Sequence, residues 1–242
     1  PRSTVVSYLG IFDEIRMLFS KTSMAKELKL SPTMFSMNIK GGRCESCQGT
    51  GLQKIELNYL PSAYITCPEC NGRRYNEKII SVTYRNKTIL DVLETPIAEI
   101  IEIFNDTKKV YSVLRCMVEL GLGYLTLGQM SMSLSGGEAQ RIKLAKALGT
   151  LSRGKSLYIL DEPTTGLNEI DIDRFIKVLF SLQNKGETIL IIEHNIEFIA
   201  KVADYIIDFG VYGGDLGGKI VAQGKPRDVF AKKDSSLCGL DG

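Results

Sequence analysis

The sequence predicts an α/β fold, a parallel β-sheet with helical cover, with a four-cysteine module set into a more helical N-terminal part. Three observations carry this. In the C-terminal half, short apolar runs alternate with segments of helical period, the pattern of buried parallel strands joined by crossover helices. Cys44, Cys47, Cys67 and Cys70 form two C-x2-C pairs with nineteen residues between them, a spacing that can close a tetrahedral site around one metal ion. The chain has 242 residues, 44% hydrophobic and 24% charged, which suits one large soluble domain or two modest ones.

The elements follow in order. Ile11, Phe12, Ile15, Leu18 and Phe19 repeat at helical spacing and predict an amphipathic helix over 11–19. Residues 41–76 turn to glycine, cysteine and arginine. Within them Ile55, Leu57 and Tyr59 alternate with Lys54, Glu56 and Asn58, a strand signal that makes a hairpin projecting from the cysteines. Residues 79–90 read as a second strand region. Two helices follow, one through Ile97, Ile100, Ile101 and Phe104, the other through Val110, Val113, Leu114 and Met117. From Gly121 onward the pattern reads as α/β. A turn at Ser135–Gly137 opens a helix to about Leu148, and LYIL at 157–160 reads as a strand covered on both faces. A helix through Ile172, Phe175, Ile176, Leu179 and Phe180 comes next. Then come the run Ile189–Ile192, a short helix near 196–203, the run Tyr205–Phe209, and a strand-and-helix tail. The domain division expected from this is 1–120, including the cysteine module at about 41–76, and 121–242.

A formal net charge of +2 says little about partners, so any nucleic-acid surface must be a local patch. No apolar run approaches the ~18–20 residues of a membrane span. PRSTVVSYLG has neither the basic start nor the apolar stretch of a signal peptide, nor an initiator methionine. The chain therefore reads as an internal, processed or cloned piece. Without a secretion signal, paired cysteines favour metal over disulfides. Four thiolates leave no open coordination position, so a bound zinc is structural. Arg43, Lys54, Arg73 and Arg74 lie in or beside the module and make either a phosphate-binding surface or a solvated face. The string CESCQGTG also fits the C-x-x-C-x-G-x-G repeat of Hsp40-type chaperones, but with one full and one partial copy against their four.

Three short motifs then occur in order. In LSGGEAQR, Leu134–Arg141, glycines permit close backbone approach to an anion and the following helix start offers free N–H groups, with Ser135 a suitable N-cap. In LYILDEPTTGL, an apolar strand ends in Asp161 at the carboxyl edge of the sheet, where α/β proteins bind ligands. Asp161 suits a Mg²⁺ shell, and Glu162 is placed to polarise a water attacking a phosphate. In ILIIEHN, His194 is the one histidine of the chain and stands just past the next apolar run. A lone histidine is more often structural. Residues 149–156, GTLSRGKS, satisfy the pattern of a phosphate-binding P-loop. That loop must join a strand to a following helix, and here the order is helix, loop, strand. Lys155 is therefore rejected as the phosphate lysine. No other match occurs, and the chain alone is not expected to hydrolyse ATP efficiently.

LSGGEAQR resembles the signature of ABC ATPases, in the form seen in the UvrA family. PRST-x-x-SYLGIFDEIR, FSMNIKGGRCESCQGTGLQKIELNYLPSAYITCPECNGRRYN, LGYLTLGQMSMSLSGGEAQR and LYILDEPTTGL look like UvrA blocks in their usual order. The resemblance covers nearly the whole chain. It implies the C-terminal part of a second ABC ATPase module, a half-module lacking its P-loop, with a helical signature domain and an inserted zinc module. Ser135, Gly136, Gly137, Glu138 and Gln140 would meet ATP held by another module. Asp161, Glu162 and His194 would serve Mg²⁺ and ATP held by a P-loop upstream, with Glu162 and His194 catalytic. The resemblance further implies a cytoplasmic protein of nucleotide excision repair and the SOS response. Damaged double-stranded DNA, UvrB and a UvrA homodimer would be its partners, with no membrane. Lys40 and Arg43, and after them Arg16 and Arg2, are the DNA-binding candidates, the alternative being solvated charge. Asn168 where the family commonly has histidine, FSMN in place of FSFN, and the tail KDSSLCGLDG leave open a UvrA-like paralogue of the sort associated with drug tolerance. A transport ATPase and a non-enzymatic zinc-binding module are the other readings. A core sheet without its P-loop strand should expose an edge or an apolar surface.

Overall fold

A computed structural model describes residues 3–57, 60–149, 155–210, 218–232 and 237. The chain divides into two compact units, Pro1–Ser152 and Arg153–Gly242.

The first unit opens with helices α1 (Val5–Leu9), α2 (Phe12–Ser20) and α3 (Ser23–Glu27). The periodicity of 11–19 becomes the buried stripe Phe12, Ile15 and Phe19 of α2. Phe19 meets the rings of Phe35 and Tyr84 at 5.7 and 5.9 Å, and these contacts anchor the core. Strands β1 (Leu52–Leu57) and β2 (Leu60–Thr66) form an antiparallel hairpin paired from Leu52↔Thr66 to Leu57↔Leu60. The strand expected over 79–90 is largely absent. That stretch forms α4 (Glu77–Ile80), the two-residue strands β3 (Thr83–Tyr84) and β4 (Lys87–Thr88), and the start of α5 (Ile89–Glu94). The cause is local. Arg85 and Asn86 take left-handed φ of 49° and 61° and turn the chain tightly. Thr88 and Asp91 then exchange hydrogen bonds in a capping box that starts α5. Helices α6 (Ile97–Ile100), running on as a 3-10 turn to Phe104, and α7 (Lys108–Glu119) bury the apolar positions read from the sequence.

Helix α8 (Gly136–Gly149) packs along α7. Residues 121–149 therefore sit with the first unit, and the division falls after Ser152 rather than after residue 120. The α/β pattern begins only with the second unit. There β5 (Leu157–Asp161), α9 (Glu169–Asn184) and β6 (Thr188–Ile192) form one parallel crossover, paired from Leu157↔Thr188 to Asp161↔Ile192. Asn168 caps α9, its side chain accepting from Asp171 N, and Phe175, Ile176, Val178, Leu179 and Leu182 give α9 its buried face. Helix α10 (Ile196–Val202) stacks Phe198 on Phe175.

Two expectations need correcting here. The run Tyr205–Phe209 gives β7 (Ile206–Phe209), which pairs antiparallel with β8 (Ile220–Gly224) and has no ladder to β6. This pairing lets Ile206 and Ala222 pack against Val229 and Phe230 of α11 (Pro226–Phe230). Nor is β5 covered on both faces. Leu160 is buried, whereas Ile159 is 63% exposed and its neighbours Leu157, Leu190 and Ile192 are also exposed. The open apolar surface matches the expectation for the sheet. An apolar recess of about 1090 Å³ lies between β6 and β7. Among the described residues, no helix is long and apolar enough to cross a membrane.

Candidate functional site

The two C-x2-C hooks are built alike. After Cys47, Gln48 and Gly49 take left-handed φ of 52° and 80°; after Cys70, Asn71 and Gly72 take 48° and 81°. Gly49 is also required by space, because a Cβ there would stand 1.8 Å from the Met37 carbonyl oxygen. The turns aim backbone N–H groups inward, and Gly51 N donates to Cys47 Sγ at 3.3 Å. All four sulfurs are buried and lie within 4.8 Å of one another. Cys44 and Cys67 Sγ are 4.0 Å apart, Cys47 and Cys70 Sγ 3.7 Å. A tetrahedron of thiolates at ~2.3 Å from zinc has edges of about 3.8 Å, so the donor set and its spacing fit that ion. Burial raises the Cys44 thiol and pushes Cys70 up to about 12, while the Cys70 backbone N–H holds Cys67 down to about 6. A bound dication would hold all four as thiolates.

The arginines of this module are engaged by neighbouring carboxylates and carbonyls. Arg43 contacts Glu45 at 3.5 Å and the Asn38 carbonyl at 3.4 Å. Arg73 bonds the Cys70 carbonyl and Glu77, and Arg74 bonds the Gly128 carbonyl. Arg16 pairs with Asp13 and lies over the Phe12 ring. Lys40 is exposed, and Arg2 lies outside the described residues.

At the start of α8, Ser135 and Glu138 form a reciprocal capping box. Ser135 N donates to the Glu138 carboxylate at 2.6 Å, and Glu138 N to Ser135 Oγ at 3.2 Å. Tyr124 OH also donates to that carboxylate. Burial pushes Glu138 up, but the Tyr124 and Ser135 hydrogen bonds prevail and hold it below the usual carboxylate value. Gly136 is exposed, with open space where a side chain would stand. Gln140 Oε1 is buried without a hydrogen-bond partner among the described residues. The helix start is thus held by side chains while the backbone at Gly136 stays accessible.

In the second unit, Asp161 ends β5 and Glu162 follows at φ +43°, an uncommon conformation for a non-glycine residue. Such a backbone costs roughly 1–3 kcal/mol and clusters at functional sites. It is held here by Glu162 N donating to the Ile192 carbonyl at 2.8 Å and Thr165 N to the Glu162 carbonyl at 3.1 Å. Glu162 Oε1 lies 3.7 Å from His194 Nε2, and both side chains are open to solvent. The tips of β5 and β6 therefore bring the Glu162 carboxylate to the His194 imidazole, with Asp161 the neighbour of Glu162 in the chain, an arrangement able to orient a water against a phosphate. Lys155 precedes β5, and Gly149 closes α8, so the element order around GTLSRGKS is helix then strand. Residues 150–154 of that string lie outside the described residues.

Sequence reasoning missed Glu193. Its carboxylate accepts from Thr164 N at 3.0 Å, from Thr164 Oγ1, from His194 N at 2.7 Å and from Asn195 N at 3.1 Å. Burial pushes Glu193 up, yet these hydrogen bonds bring it below the ordinary value. The available signal was an acid immediately after an apolar strand, where the chain leaves the sheet.

No protein-family model matches the chain. It is 51% identical over 235 residues to UvrABC system protein A of Staphylococcus aureus, covering 97% of this chain and 25% of that protein. The protein of the same name from Halalkalibacterium halodurans is 50% identical, with 97% and 24% covered. In the crystal structure of UvrA2 from Deinococcus radiodurans, the match has a TM-score of 0.86 and 44% identity, covering 98% of this chain and 29% of that one. The chain thus spans about a quarter of the length of the curated relatives it matches. Over the residues it shares with them, and with the fold of a solved UvrA2, the chain belongs to the UvrA family.

Proposed function

We propose that this chain is the C-terminal part of the second ATP-binding module of a UvrA-type ATPase that recognises damaged double-stranded DNA in nucleotide excision repair. The observation that carries the reading is the 3.7 Å approach of Glu162 to His194 at the tips of two paired parallel strands, with Asp161 beside them. Ligands of α/β proteins bind at that edge. The backbone held at φ +43° on Glu162 supports the same reading.

In this reading Glu162 accepts a proton from the attacking water, and His194 holds that water and a γ-phosphate oxygen in line. Asp161 would hold Mg²⁺ directly or through water, and such an ion would supply positive charge to the phosphates. Ser135, Gly136, Gly137 and Gln140, steadied by Glu138, present the N-terminus of α8 to ATP held by another module. The P-loop serving Asp161, Glu162 and His194 lies elsewhere in a longer polypeptide, so these 242 residues alone do not turn over ATP. Cys44, Cys47, Cys67 and Cys70 hold a structural zinc. DNA is met through its backbone. Lys40 is the exposed cation among the described candidates, whereas Arg43 and Arg16 would first leave Glu45 and Asp13. Hand-over to UvrB, pairing of two UvrA copies and a cytoplasmic location complete the proposal.

The test is steady-state ATP hydrolysis by the full-length protein. Glu162→Gln and His194→Ala are each expected to cut kcat by about 10²-fold or more, with ATP affinity retained. Undiminished hydrolysis by both variants would refute the reading.

A further inference from the structure

We propose that Glu193 is a positioning residue, setting the separation of Glu162 and His194 by bonding both of the loops that carry them. The proposal rests on the ATPase reading given above and deepens it. The regular pairing of β5 with β6 ends at Asp161↔Ile192. One more backbone bond, Glu162 N to the Ile192 carbonyl at 2.8 Å, continues it. Beyond that point the two strands part, one into the turn Glu162–Thr165 and the other into the loop that leads to α10.

Glu193 spans this divergence, and its two oxygens divide the task. Oε1 takes Thr164 N at 3.0 Å and Thr164 Oγ1; Oε2 takes His194 N at 2.7 Å and Asn195 N at 3.1 Å. Thr164 is buried at 9% exposure, so its end of the bridge is fixed by packing. Asn195 is fixed at the other end, since its side chain caps α10 by accepting from Phe198 N. Glu162 stands two residues before Thr164, and His194 directly follows Glu193. One half-buried carboxylate therefore ties together the two loops that carry both exposed groups. Charge-assisted bonds of this kind are stronger than neutral ones, which makes a carboxylate suited to the task. Displacing a reacting group by about 1 Å can cost about 10²-fold in rate.

The experiment uses the full-length ATPase. Glu193→Ala is expected to lower kcat about 10²-fold with KM for ATP little changed. In a His194→Ala background the same change should add less than about twofold, because the Glu162–His194 pair whose separation it sets no longer exists. Glu193→Gln keeps an acceptor for Thr164 but turns its NH2 toward two backbone N–H groups, and should recover part of the rate. Thr164→Val, which removes one donor, should lower kcat in the same sense and carries the test if Glu193→Ala does not fold. A wild-type kcat in Glu193→Ala would overturn the proposal. So would an equal loss with and without His194. If Glu162→Gln and His194→Ala hydrolyse ATP normally, the ATPase reading fails as a whole; if they are inactive while Glu193→Ala is not, only this inference fails.

Discussion

Gly149 sits where α8 presses on α7. A Cβ there would lie 2.6 Å from Val113 Cα and 2.9 Å from Val113 N, inside any real contact. An alanine within a helix is ordinarily favoured over glycine by about 1 kcal/mol. Here the crowding reverses the sign, and Gly149→Ala is expected to destabilise the first unit by about 1–3 kcal/mol. Thermal or urea unfolding of the variant checks this; an unchanged or raised midpoint would contradict it. The string GTLSRGKS invites Gly149 to be read as part of a phosphate loop, and only the packing of α8 gives it a different reason to be glycine. Single residues were otherwise unevenly legible. Glu162 and His194 were singled out by standing past apolar runs, and the structure brings them within 3.7 Å of each other. Asn168 is a departure from the family pattern that the structure explains as the cap of α9. Glu193 could not be weighed from sequence, because its partner Thr164 lies 29 positions away and meets it only after β5 and β6 pair.

Among the elements, the cysteine hooks were the most legible, because the spacing alone predicts that four thiols converge, and their sulfurs lie within 4.8 Å of one another. The hairpin between them is stapled at its base by the four sulfurs, which form a small buried cluster of their own. With so little apolar core, its order should depend on the ion. Purified protein is expected to hold about one zinc per chain. Removing it with a strong chelator should lower the melting temperature and open β1 and β2 to protease. A zinc content far below one per chain, or a chelator without effect on either readout, would remove the metal from the account. Residues 79–90 were misread for the opposite reason. Their apolar content suits a strand, but Arg85–Asn86 and the box at Thr88 are turn and cap signals that outrank it. The partner of β7 was illegible because antiparallel closure with β8 is decided by where α11 packs, not by β7 itself.

At the scale of the whole molecule, the sequence predicted the α/β character and the inserted module, while the division after Ser152 had to be seen. Helix α8 reads as the first helix of an α/β run until it is found against α7. Leu157, Ile159, Leu190 and Ile192, on the paired strands β5 and β6, form an exposed apolar face. A soluble monomer rarely leaves such a contiguous surface open. The 242-residue chain is therefore expected to bind a hydrophobic dye such as ANS while folded. Ile159→Lys should reduce that binding without lowering the melting temperature. Absence of dye binding by the folded chain would show that this face is covered.

The claim on which the rest depends is that Glu162 acts on a bound triphosphate. The most direct measurement is the identity of the nucleotide retained by the full-length protein after brief incubation with labelled ATP and rapid quenching. Wild-type protein should hold mainly ADP and Glu162→Gln mainly intact ATP. An equal share of ADP in both would contradict the account.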